Sequence, residues 1–593
     1  MMDRKAVLVK TLSVILVLGW AISAHSLVVP VKSSLAMAAM SDVGGRTVTD
    51  KDGRAADLIV IGDIYTMDAA APKAEAIAVA GGRLVFVGDA RRARALLRRG
   101  GRTIKLAPGQ SVLPGFVDSH VHMLEGGLQQ NDCPIQPPEP KSKAELAAKI
   151  EACAAAQPEK TWLIGNGWPA ALFDKLGPLK EELDALVPDR PAVIYEDSGH
   201  SAWLNSAALL AADIGPDTPD PQNGRIERQP GSRDPSGTLR EQPAMDLVMD
   251  HIPPRTDEEY AAALAVGQRE LHKVGITLVQ DAQVEPRFLA AYHAAEMSGV
   301  LTMKVVAAQE THPLGPTSQV DELIALRERF SAGRLTASSA KIFLDGQIEG
   351  RTAALLEPYE GSDDSGTPNW SASALTEIAL RLDAAGFQIH MHDIGDRAIR
   401  EGLDALAAVR AANGPSDLRH HIAHLQLVDP ADIPRFAELG VFANFQPFWM
   451  FRDSSFEAVE PLIGPERAER LYEIRSFEQA GTRIVAGSDW PVSDPNPLLA
   501  IQVGMTRRDP MDADAPVWNP AQRVSLDTLL RAYTIEGATL NHRERDTGSL
   551  EVGKAADFII LDRDLFATPP EDIGDTRVLK TFVDGVQVHA AGD

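Results

Sequence analysis

The stretch FVDSHVH at residues 116–122 supplies the first candidate site residues. It ends a candidate strand, SVLPGFVDSHVH (111–122), in which residues two positions apart point to the same face. His120 and His122 therefore present two imidazoles at the carboxyl end of one strand, an arrangement that suits a metal ion. Two histidines at this spacing also occur on solvated strand edges, so the pair alone does not define a site.

Seven further segments of β character follow in the middle of the chain. Ala-, Leu- and Glu-rich helical segments separate several of them, which is typical of parallel strands joined by crossover helices. Together with the first strand they predict an α/β fold with a (β/α)8 TIM-like barrel. The seven segments are GITLVQDA (275–282), LTMKVVAA (301–308), AKIFLDG (340–346), FQIHMH (387–392), HHIAHL (420–425), VFANFQP (441–447) and TRIVAGSD (482–489).

The two ends of the chain have a different pattern, with short β segments and Gly or Asp turns. Residues 57–110 and 545–593 are therefore predicted to build one small β-sandwich domain that shares a sheet between both ends. The barrel occupies 111–544. The stretch 123–256 is too long for one strand-to-helix connection, and we interpret it as an insertion that covers the barrel mouth.

The composition is that of a globular protein with an acidic surface. The 593 residues include 58 Lys and Arg against 83 Asp and Glu, a formal net charge of −25. This charge repels nucleic acid phosphates and anionic lipid headgroups. We therefore expect a small-molecule substrate, no nucleic acid partner and no membrane partner beyond the export machinery.

The N-terminus has the pattern of an export signal. Basic residues precede the apolar run TLSVILVLGWAIS (11–23), and small-residue sites follow it. This predicts a signal peptide over 1–38 and a flexible lead-in over 39–56, in a periplasmic or secreted protein. The alternative is an uncleaved segment that anchors the protein to the membrane.

The chain has two cysteines, Cys133 and Cys153. In an oxidising compartment this pair is a disulfide candidate, and the alternative is two buried thiols. Two cysteines are too few for a Cys-rich zinc site, so any metal chemistry must use histidines and carboxylates.

More such residues fall at the ends of later strands. His390 and His392 end the fifth candidate strand, His424 ends the sixth, and Asp489 ends the eighth. In a barrel of parallel strands all carboxyl ends converge on one mouth, so residues far apart in sequence meet there. The whole set favours a metal centre, although each histidine alone favours a structural role.

The motifs around these residues resemble the amidohydrolase superfamily, and in particular its amidohydrolase-3 branch, the family of N-substituted formamide deformylase. The resemblance runs from about Asp57 to the C-terminus, and its motifs occur in the order of that family. Besides FVDSHVH they are GNGWPAALFD (165–174), SGHSAWLNSAAL (198–209), KIFLDGQIEGRTAALLEPY (341–359), HMHDIGDRAI (390–399), IAHLQ (422–426) and AGSDWPVSDPNP (486–497).

The resemblance implies ligands for one or two divalent ions, zinc above all: His120, His122, Lys341, His392, His424 and Asp489. It places Lys341 where related enzymes carry a carboxylated lysine between two metals. If Lys341 is unmodified, the alternative is a salt bridge beneath the mouth and a single ion. His390 is assigned a place behind the ligands, while Asp393 and Asp396 either orient histidines or cap the next helix.

The same resemblance suggests how the reaction proceeds. Asp489 takes a proton from a metal-activated water and passes it to the leaving amine. His200 either donates a hydrogen bond to the oxyanion or is a buried loop histidine. The substrate-binding candidates are His200, Trp168, Trp449 and Trp490, with Trp203 and Phe448 as further aromatic residues that suit an apolar or aryl substituent.

The sequence thus predicts an exported metal-dependent hydrolase of a non-peptide C–N bond, such as an amide or N-substituted formamide. One alternative keeps the fold and cleaves a cyclic amide, a carbamate or an ester, and a phosphotriesterase-like reaction stands beside it. Another is a non-catalytic periplasmic binding or scaffold protein. A homodimer is expected from the family resemblance alone.

Overall fold

The computed structural model describes residues 55–135, 140–249 and 251–592. The predicted signal peptide (1–38) and all but the last two residues of the predicted lead-in lie outside the described residues. The described strands are, in chain order, β1 (Ala56–Tyr65), β2 (Lys73–Ala80), β3 (Arg83–Gly88), β4 (Leu97–Lys105), β5 (Ser111–Pro114), β6 (Phe116–Val121), β7 (Cys133–Pro134), β8 (Leu163–Trp168), β9 (Ala192–Glu196), β10 (Ser201–Leu204), β11 (Arg225–Arg228), β12 (Pro235–Arg240), β13 (Ile276–Val284), β14 (Lys304–Glu310), β15 (Leu335–Phe343), β16 (Gln388–Asp393), β17 (His421–His424), β18 (Phe442–Phe445), β19 (Ile484–Ala486), β20 (Phe558–Leu561), β21 (Val578–Val583) and β22 (Val586–Ala590).

The α-helices follow the same order and fill most of the connections between barrel strands. They are α1 (Ala90–Leu96), α2 (Met123–Asn131), α3 (Lys143–Ala156), α4 (Lys180–Leu186), α5 (Ser206–Ala211), α6 (Gln242–Met249), α7 (Asp257–Lys273), α8 (Pro286–Ser298), α9 (Gln319–Phe330), α10 (Ala372–Ala384), α11 (Asp396–Asn413), α12 (Ile433–Leu439), α13 (Ser454–Ile463), α14 (Pro465–Ala468), α15 (Ile474–Gln479), α16 (Pro497–Thr506), α17 (Leu526–Arg531) and α18 (Gly537–Leu540).

The central sheet is a barrel of eight parallel strands. Strand β6 pairs with β13, and the order continues through β14 to β19. Where β19 returns to β6, backbone hydrogen bonds from Asp489 N to His120 O (2.7 Å) and from His122 N to Trp490 O (2.8 Å) join the two ends. The predicted α/β fold with a TIM-like barrel is confirmed.

The first predicted strand is divided at Gly115. Its first part, β5, pairs with β1 and β20 of the sheet built by the chain ends, and only β6 belongs to the barrel. Gly115 is required there because a side chain would meet Thr277, whose Oγ1 would lie 2.3 Å from the Cβ. The barrel therefore begins at Phe116 and not at Ser111.

The fourth barrel strand also differs from its prediction. Strand β15 begins at Leu335, five residues before the predicted start at Ala340. Its first half, LTASS, alternates buried and half-buried positions and contains polar residues, so it lacks the apolar run that marked the second half. Lys341 lies two residues before the end of this strand, close to the barrel mouth.

Both ends of the chain contribute to one continuous sheet of eight strands. Its order is β22-β21-β20-β5-β1-β2-β3, and β4 pairs with β1. Ile59 and Val60 point to opposite faces of β1, and each belongs to a separate apolar cluster. The strands that we predicted as a sandwich thus form a single sheet with apolar side chains on both faces.

The insertion between β6 and β13 contains its own sheet of six strands, in the order β11-β12-β10-β9-β8-β7. It leaves and rejoins the barrel through α2 and α7, which cross closely. A Cβ on Gly127 would lie 2.0 Å from the carbonyl oxygen of Ala263, and one on Gly267 would lie 2.5 Å from that of Met123. This close packing fixes α2, which starts directly after His122.

A disulfide joins Cys133 of β7 to Cys153 of α3, with 5.5 Å between the Cα atoms. It ties the first strand of the inserted sheet to the helix that packs against it, in an apolar cluster with Leu146, Ile150 and Trp168. Among the described residues, no helix is both long and apolar enough to cross a bilayer.

Removing this disulfide is expected to lower the free energy of unfolding by about 3 kcal/mol, because a cross-link of this loop length restricts the unfolded chain. Urea unfolding of the oxidised and reduced protein measures the difference. The Cys133→Ser/Cys153→Ser double variant is the control, since its transition should not respond to reductant. Identical transitions of the oxidised and reduced wild type would contradict the prediction.

Candidate metal centre

Three predicted ligands meet at the barrel mouth. His120 and His122 come from the end of β6, and Asp489 follows β19. Oδ1 of Asp489 lies 3.3 Å from Nε2 of His120 and 3.0 Å from Nε2 of His122. Ligand atoms of the three residues all lie within 4.8 Å of one another, and no other such group of His, Cys, Asp or Glu occurs in the part of the chain that the structure describes.

The backbone around these ligands is held by a buried carboxylate that the sequence analysis did not single out. Asp118 accepts hydrogen bonds from the backbone N–H groups of His120 (3.2 Å) and Ser488 (3.0 Å) and from the Ser488 hydroxyl (2.6 Å). It therefore joins the two chain segments that carry the ligands. Asp489 itself has a φ of 59°, a left-handed conformation that is uncommon for residues other than glycine.

The electrostatics keep His120 and Asp489 in the forms that bind metals. Burial, reinforced by the charge of Lys341, lowers the pKa of His120 to about 3, so its imidazole is neutral. Burial alone would raise the pKa of Asp489, but the neighbouring His120 and His122 outweigh it and hold that pKa well below its usual range. A neutral imidazole and an ionised carboxylate are the species that ligate a cation.

His390 lies behind His120. Its Nε2 is 2.9 Å from Nδ1 of His120, on the side of the ring opposite Asp489. The ring of His421 packs on His390 with 4.0 Å between centroids, and Nδ1 of His421 is 3.2 Å from the Asn444 amide. His390 thus holds the His120 ring in place from behind. His421 packs on His390, and Asn444 contacts His421; the sequence analysis did not predict these two supporting residues.

Replacing His390 with Leu is expected to weaken metal binding about 10- to 100-fold, because His120 Nδ1 loses the partner that fixes its ring. Competition with a chromophoric chelator measures the affinity. At saturating metal, kcat should stay within a few-fold of wild type. An unchanged affinity would show that His390 does not orient the ligand.

His424 and His392 lie beside this group but are not part of it. The His424 ring is 4.6 Å from His120 and 4.4 Å from His392, centroid to centroid. Nδ1 of His424 is 3.0 Å from Oε1 of Gln446. The other ring nitrogen, Nε2, is therefore available to bind a metal ion. Both rings are neutral, because burial lowers the pKa of each.

The carboxylate nearest His392 is Asp345 and not Asp393. Its Oδ1 lies 3.7 Å from Nδ1 of His392, and its two oxygens accept the N–H groups of Ala354, Ile394 and Gly395 at 2.9 Å. The side chain of Asp396 accepts the N–H of Leu356 and does not cap α11.

Lys341 is fully buried at the same mouth. Its Nζ has no hydrogen-bond partner among the described residues and lies 4.6 Å from the centre of the Phe343 ring. Burial, partly offset by the charges of Asp489, Asp393 and Glu310, lowers the pKa of Lys341 to about 7. A neutral amine, the form that can add carbon dioxide, is therefore available near neutral pH.

His200 enters the site from the inserted sheet. It directly precedes β10, and its ring lies 6.2 Å from that of His392, centroid to centroid. Its Nδ1 is 2.8 Å from Oε2 of Glu241. Burial lowers the pKa of His200, but the charge of Glu241 and the hydrogen bond to it outweigh this effect and raise the pKa.

The aromatic candidates divide into two groups. Trp449 is half-buried, and its ring stacks on His424 at 5.5 Å with 11° between the planes; Phe448 beside it is half-buried as well. Trp490 is 6% exposed and packs against Gly126 of α2. Trp449 is therefore the candidate ring that is both partly exposed and in contact with a histidine of the barrel mouth.

Trp168 requires a correction. It is 1% exposed in the core of the inserted domain, where its indole N–H donates to the carbonyl oxygen of Ile194 (3.0 Å). Trp203 is buried in the same way and donates to Leu179. An indole with no exposed surface and a satisfied N–H serves packing, so the structure does not support Trp168 as a substrate contact.

The site fits a divalent ion on an observation independent of any family. His424 Nε2 and Lys341 Nζ are buried without a hydrogen-bond partner among the described residues. Buried polar atoms are almost always paired, and these two lie beside His120 and Asp489 at the barrel mouth. A barrel with such donors at the carboxyl ends of its strands is the architecture of a metal-dependent barrel enzyme.

Comparison with known proteins agrees with this architecture. The amidohydrolase family profile matches residues 107–589. The chain is 30% identical to Protein LONG AFTER FAR-RED 3 of Arabidopsis thaliana, across 92% of this chain and 93% of that protein. It is 28% identical to the N-substituted formamide deformylase of Arthrobacter pascens, across 89% of this chain and 98% of that enzyme. A crystal structure of an uncharacterized metal-dependent hydrolase from Pyrococcus furiosus matches 86% of this chain and 99% of its own, with 27% identity and a TM-score of 0.67.

The chain belongs to the amidohydrolase family, in its amidohydrolase-3 branch. This confirms the family that the sequence motifs indicated. It also supports the predicted class of enzyme, a metal-dependent hydrolase that acts on carbon–nitrogen bonds other than peptide bonds.

Proposed function

We propose that the protein is an exported, zinc-dependent hydrolase that cleaves the C–N bond of a small amide, such as an N-substituted formamide. The observation that carries this proposal is the convergence of His120, His122 and Asp489 at the barrel mouth. Beside them lie His424 Nε2 and Lys341 Nζ, which have no hydrogen-bond partner in the part of the chain that the structure describes. Of the first-row ions, zinc suits imidazole and carboxylate ligands with an open position.

His120, His122 and Asp489 would hold a divalent ion here, and the bound ion would polarise the scissile carbonyl and lower the pKa of a water molecule towards neutral. The chain supplies the proton transfers. Because Oδ1 of Asp489 faces both imidazoles, Oδ2 is left to accept a proton and return it to the leaving nitrogen. His200 would donate a hydrogen bond to the carbonyl oxygen as negative charge develops there.

Lys341 is the residue that would bridge two ions. Its burial, its lowered pKa and its unpaired Nζ favour a carbamate at this position. His392 and His424 would complete a second site in that case. With an unmodified lysine the same two histidines would serve one ion.

The substrate is proposed to be a small amide with an apolar or aryl substituent. Trp449, half-buried and stacked on His424, is the side chain that favours such a group. Similarity to a formamide deformylase along almost its whole length supports the formyl case. A cyclic amide, a carbamate or an ester stays the alternative, because the ligands activate water equally well for each bond.

The proposed location is the periplasm or the exterior, in line with the basic and apolar N-terminal pattern and the disulfide between Cys133 and Cys153. The proposed partner is the small-molecule substrate, with a homodimer as the assembly.

The test is turnover of a panel of N-substituted formamides, aryl amides, cyclic amides, carbamates and esters. The protein, produced without residues 1–38, is stripped with a chelator and then reloaded with zinc. We expect cleavage of at least one amide only after reloading. If a folded, reloaded protein cleaves no amide but hydrolyses an ester or carbamate, the C–N assignment fails; if it cleaves nothing, the hydrolase assignment fails.

A further inference from the structure

One contact between the inserted sheet and the barrel runs through the carboxylate of Glu241. Strands β10 and β12 are antiparallel, with Ser201 opposite Arg240. The next pair in this register is His200 and Glu241, and their backbones are joined by a hydrogen bond from Glu241 N to His200 O (2.8 Å). Two residues 41 positions apart are thus neighbours at the end of the ladder that faces the barrel mouth.

The Glu241 side chain has two partners, one in each domain. Oε2 lies 2.8 Å from Nδ1 of His200, and Oε1 accepts the hydroxyl of Thr352 at 2.8 Å. Thr352 belongs to the segment that follows β15, the strand that carries Lys341. The Thr352 hydroxyl oxygen in turn accepts the N–H of Gln347 (2.8 Å), so the carboxylate is held on both sides.

Two glycines leave room for the Glu241 carboxylate and its partner Thr352. A Cβ on Gly350 would lie 3.3 Å from Oε1 of Glu241, and one on Gly346 would lie 2.2 Å from Oγ1 of Thr352. Glu241 has a φ of 63°, a left-handed conformation that a non-glycine residue adopts only when its surroundings enforce it. The left-handed backbone of Glu241 and the two glycines near its side chain indicate that the surrounding structure enforces its position.

We infer that Glu241 is the positioning residue of His200: it holds Nδ1 of the imidazole, presents Nε2 to the carbonyl oxygen of the substrate, and locks the inserted domain onto the barrel through Thr352. A carboxylate bound to one nitrogen of a histidine fixes both its tautomer and its ring orientation. The inference rests on the proposed function, because that function gives His200 its role.

The experiment compares Glu241→Gln, which keeps the shape and removes the charge, with Glu227→Gln, a matched change in the ion pair of Glu227 with Arg225 in the same inserted sheet. We expect Glu241→Gln to lower kcat about 10- to 100-fold with KM within about 3-fold and metal content unchanged. Glu227→Gln should keep wild-type kcat. In a His200→Asn background, Glu241→Gln should change kcat by less than about 2-fold, because its effect runs through His200.

A second readout does not need a substrate. Nitrogen-15 spectra of histidine-labelled protein, assigned with His200→Asn, report the state of Nδ1 of His200; Glu241→Gln should shift this resonance, and Glu227→Gln should not. An unchanged resonance, or an equal loss of kcat with and without His200, would overturn the inference. If no substrate is turned over at all, the proposed function fails, and the nitrogen spectra alone decide whether Glu241 holds His200.

Discussion

Asp489→Asn is expected to lower kcat by about 10³-fold, within the range for loss of a general base, because the amide can neither take a proton from water nor return it to the leaving nitrogen. Asn has the shape of Asp, so the fold and the hydrogen bond from Asp489 N to His120 O should remain. Steady-state kinetics on the best amide of the panel measures kcat, and thermal unfolding checks the fold.

The matched control for this change is Asp494→Asn. Asp494 lies five residues along the same loop, is exposed, and accepts the N–H of Asn496. The same change in charge at this position should leave kcat within about 2-fold of wild type, as for most surface substitutions. If Asp489→Asn keeps more than a tenth of the wild-type kcat, Asp489 does not carry the proton.

His122→Asn is expected to weaken zinc binding by at least about 100-fold, because it removes one of the few imidazole ligands that converge on the ion. The His122 side chain is 15% exposed, so the folded structure should persist. The dissociation constant is obtained by competition with a chelator, and activity should return in part when zinc is added in large excess.

His251→Asn is the control for the metal measurement, since His251 is exposed and lies in the connection between α6 and α7. It should bind zinc as tightly as wild type. Equal affinities of His122→Asn and His251→Asn would mean that the ion, if one is bound, is held elsewhere.

The sequence was sufficient to predict the site residues that lie at the ends of strands. His120, His122, His424 and Asp489 each close a β segment that could be recognised from its apolar residues, and a barrel brings such ends together. The family motifs added Lys341, whose place on β15 no periodicity would have singled out.

The supporting residues could not be predicted because their partners are distant in sequence. Glu241 faces His200 only through the register of β10 and β12, inside an insertion whose sheet order the sequence does not determine. His421 was visible in the sixth strand, but its place behind His390 depends on which face of the strand points inward. Asp118, inside the first motif, was overlooked because its role depends on Ser488, 370 residues further along.

Trp168 was predicted to contact the substrate, and this prediction was wrong. A tryptophan in a motif loop suggested a substrate contact, but β8 continues through Trp168 and turns the indole into the core of the inserted sheet. Burial of an aromatic ring depends on tertiary packing, which a motif does not reveal.

The most direct test of the metal centre is elemental analysis of the protein produced without residues 1–38, after zinc loading and removal of free ions. We predict one or two zinc ions per chain for the wild type, and fewer for His122→Asn after the same removal of free ions. A folded wild-type protein that retains no divalent ion under these conditions would contradict the assignment of His120, His122 and Asp489 as a metal centre.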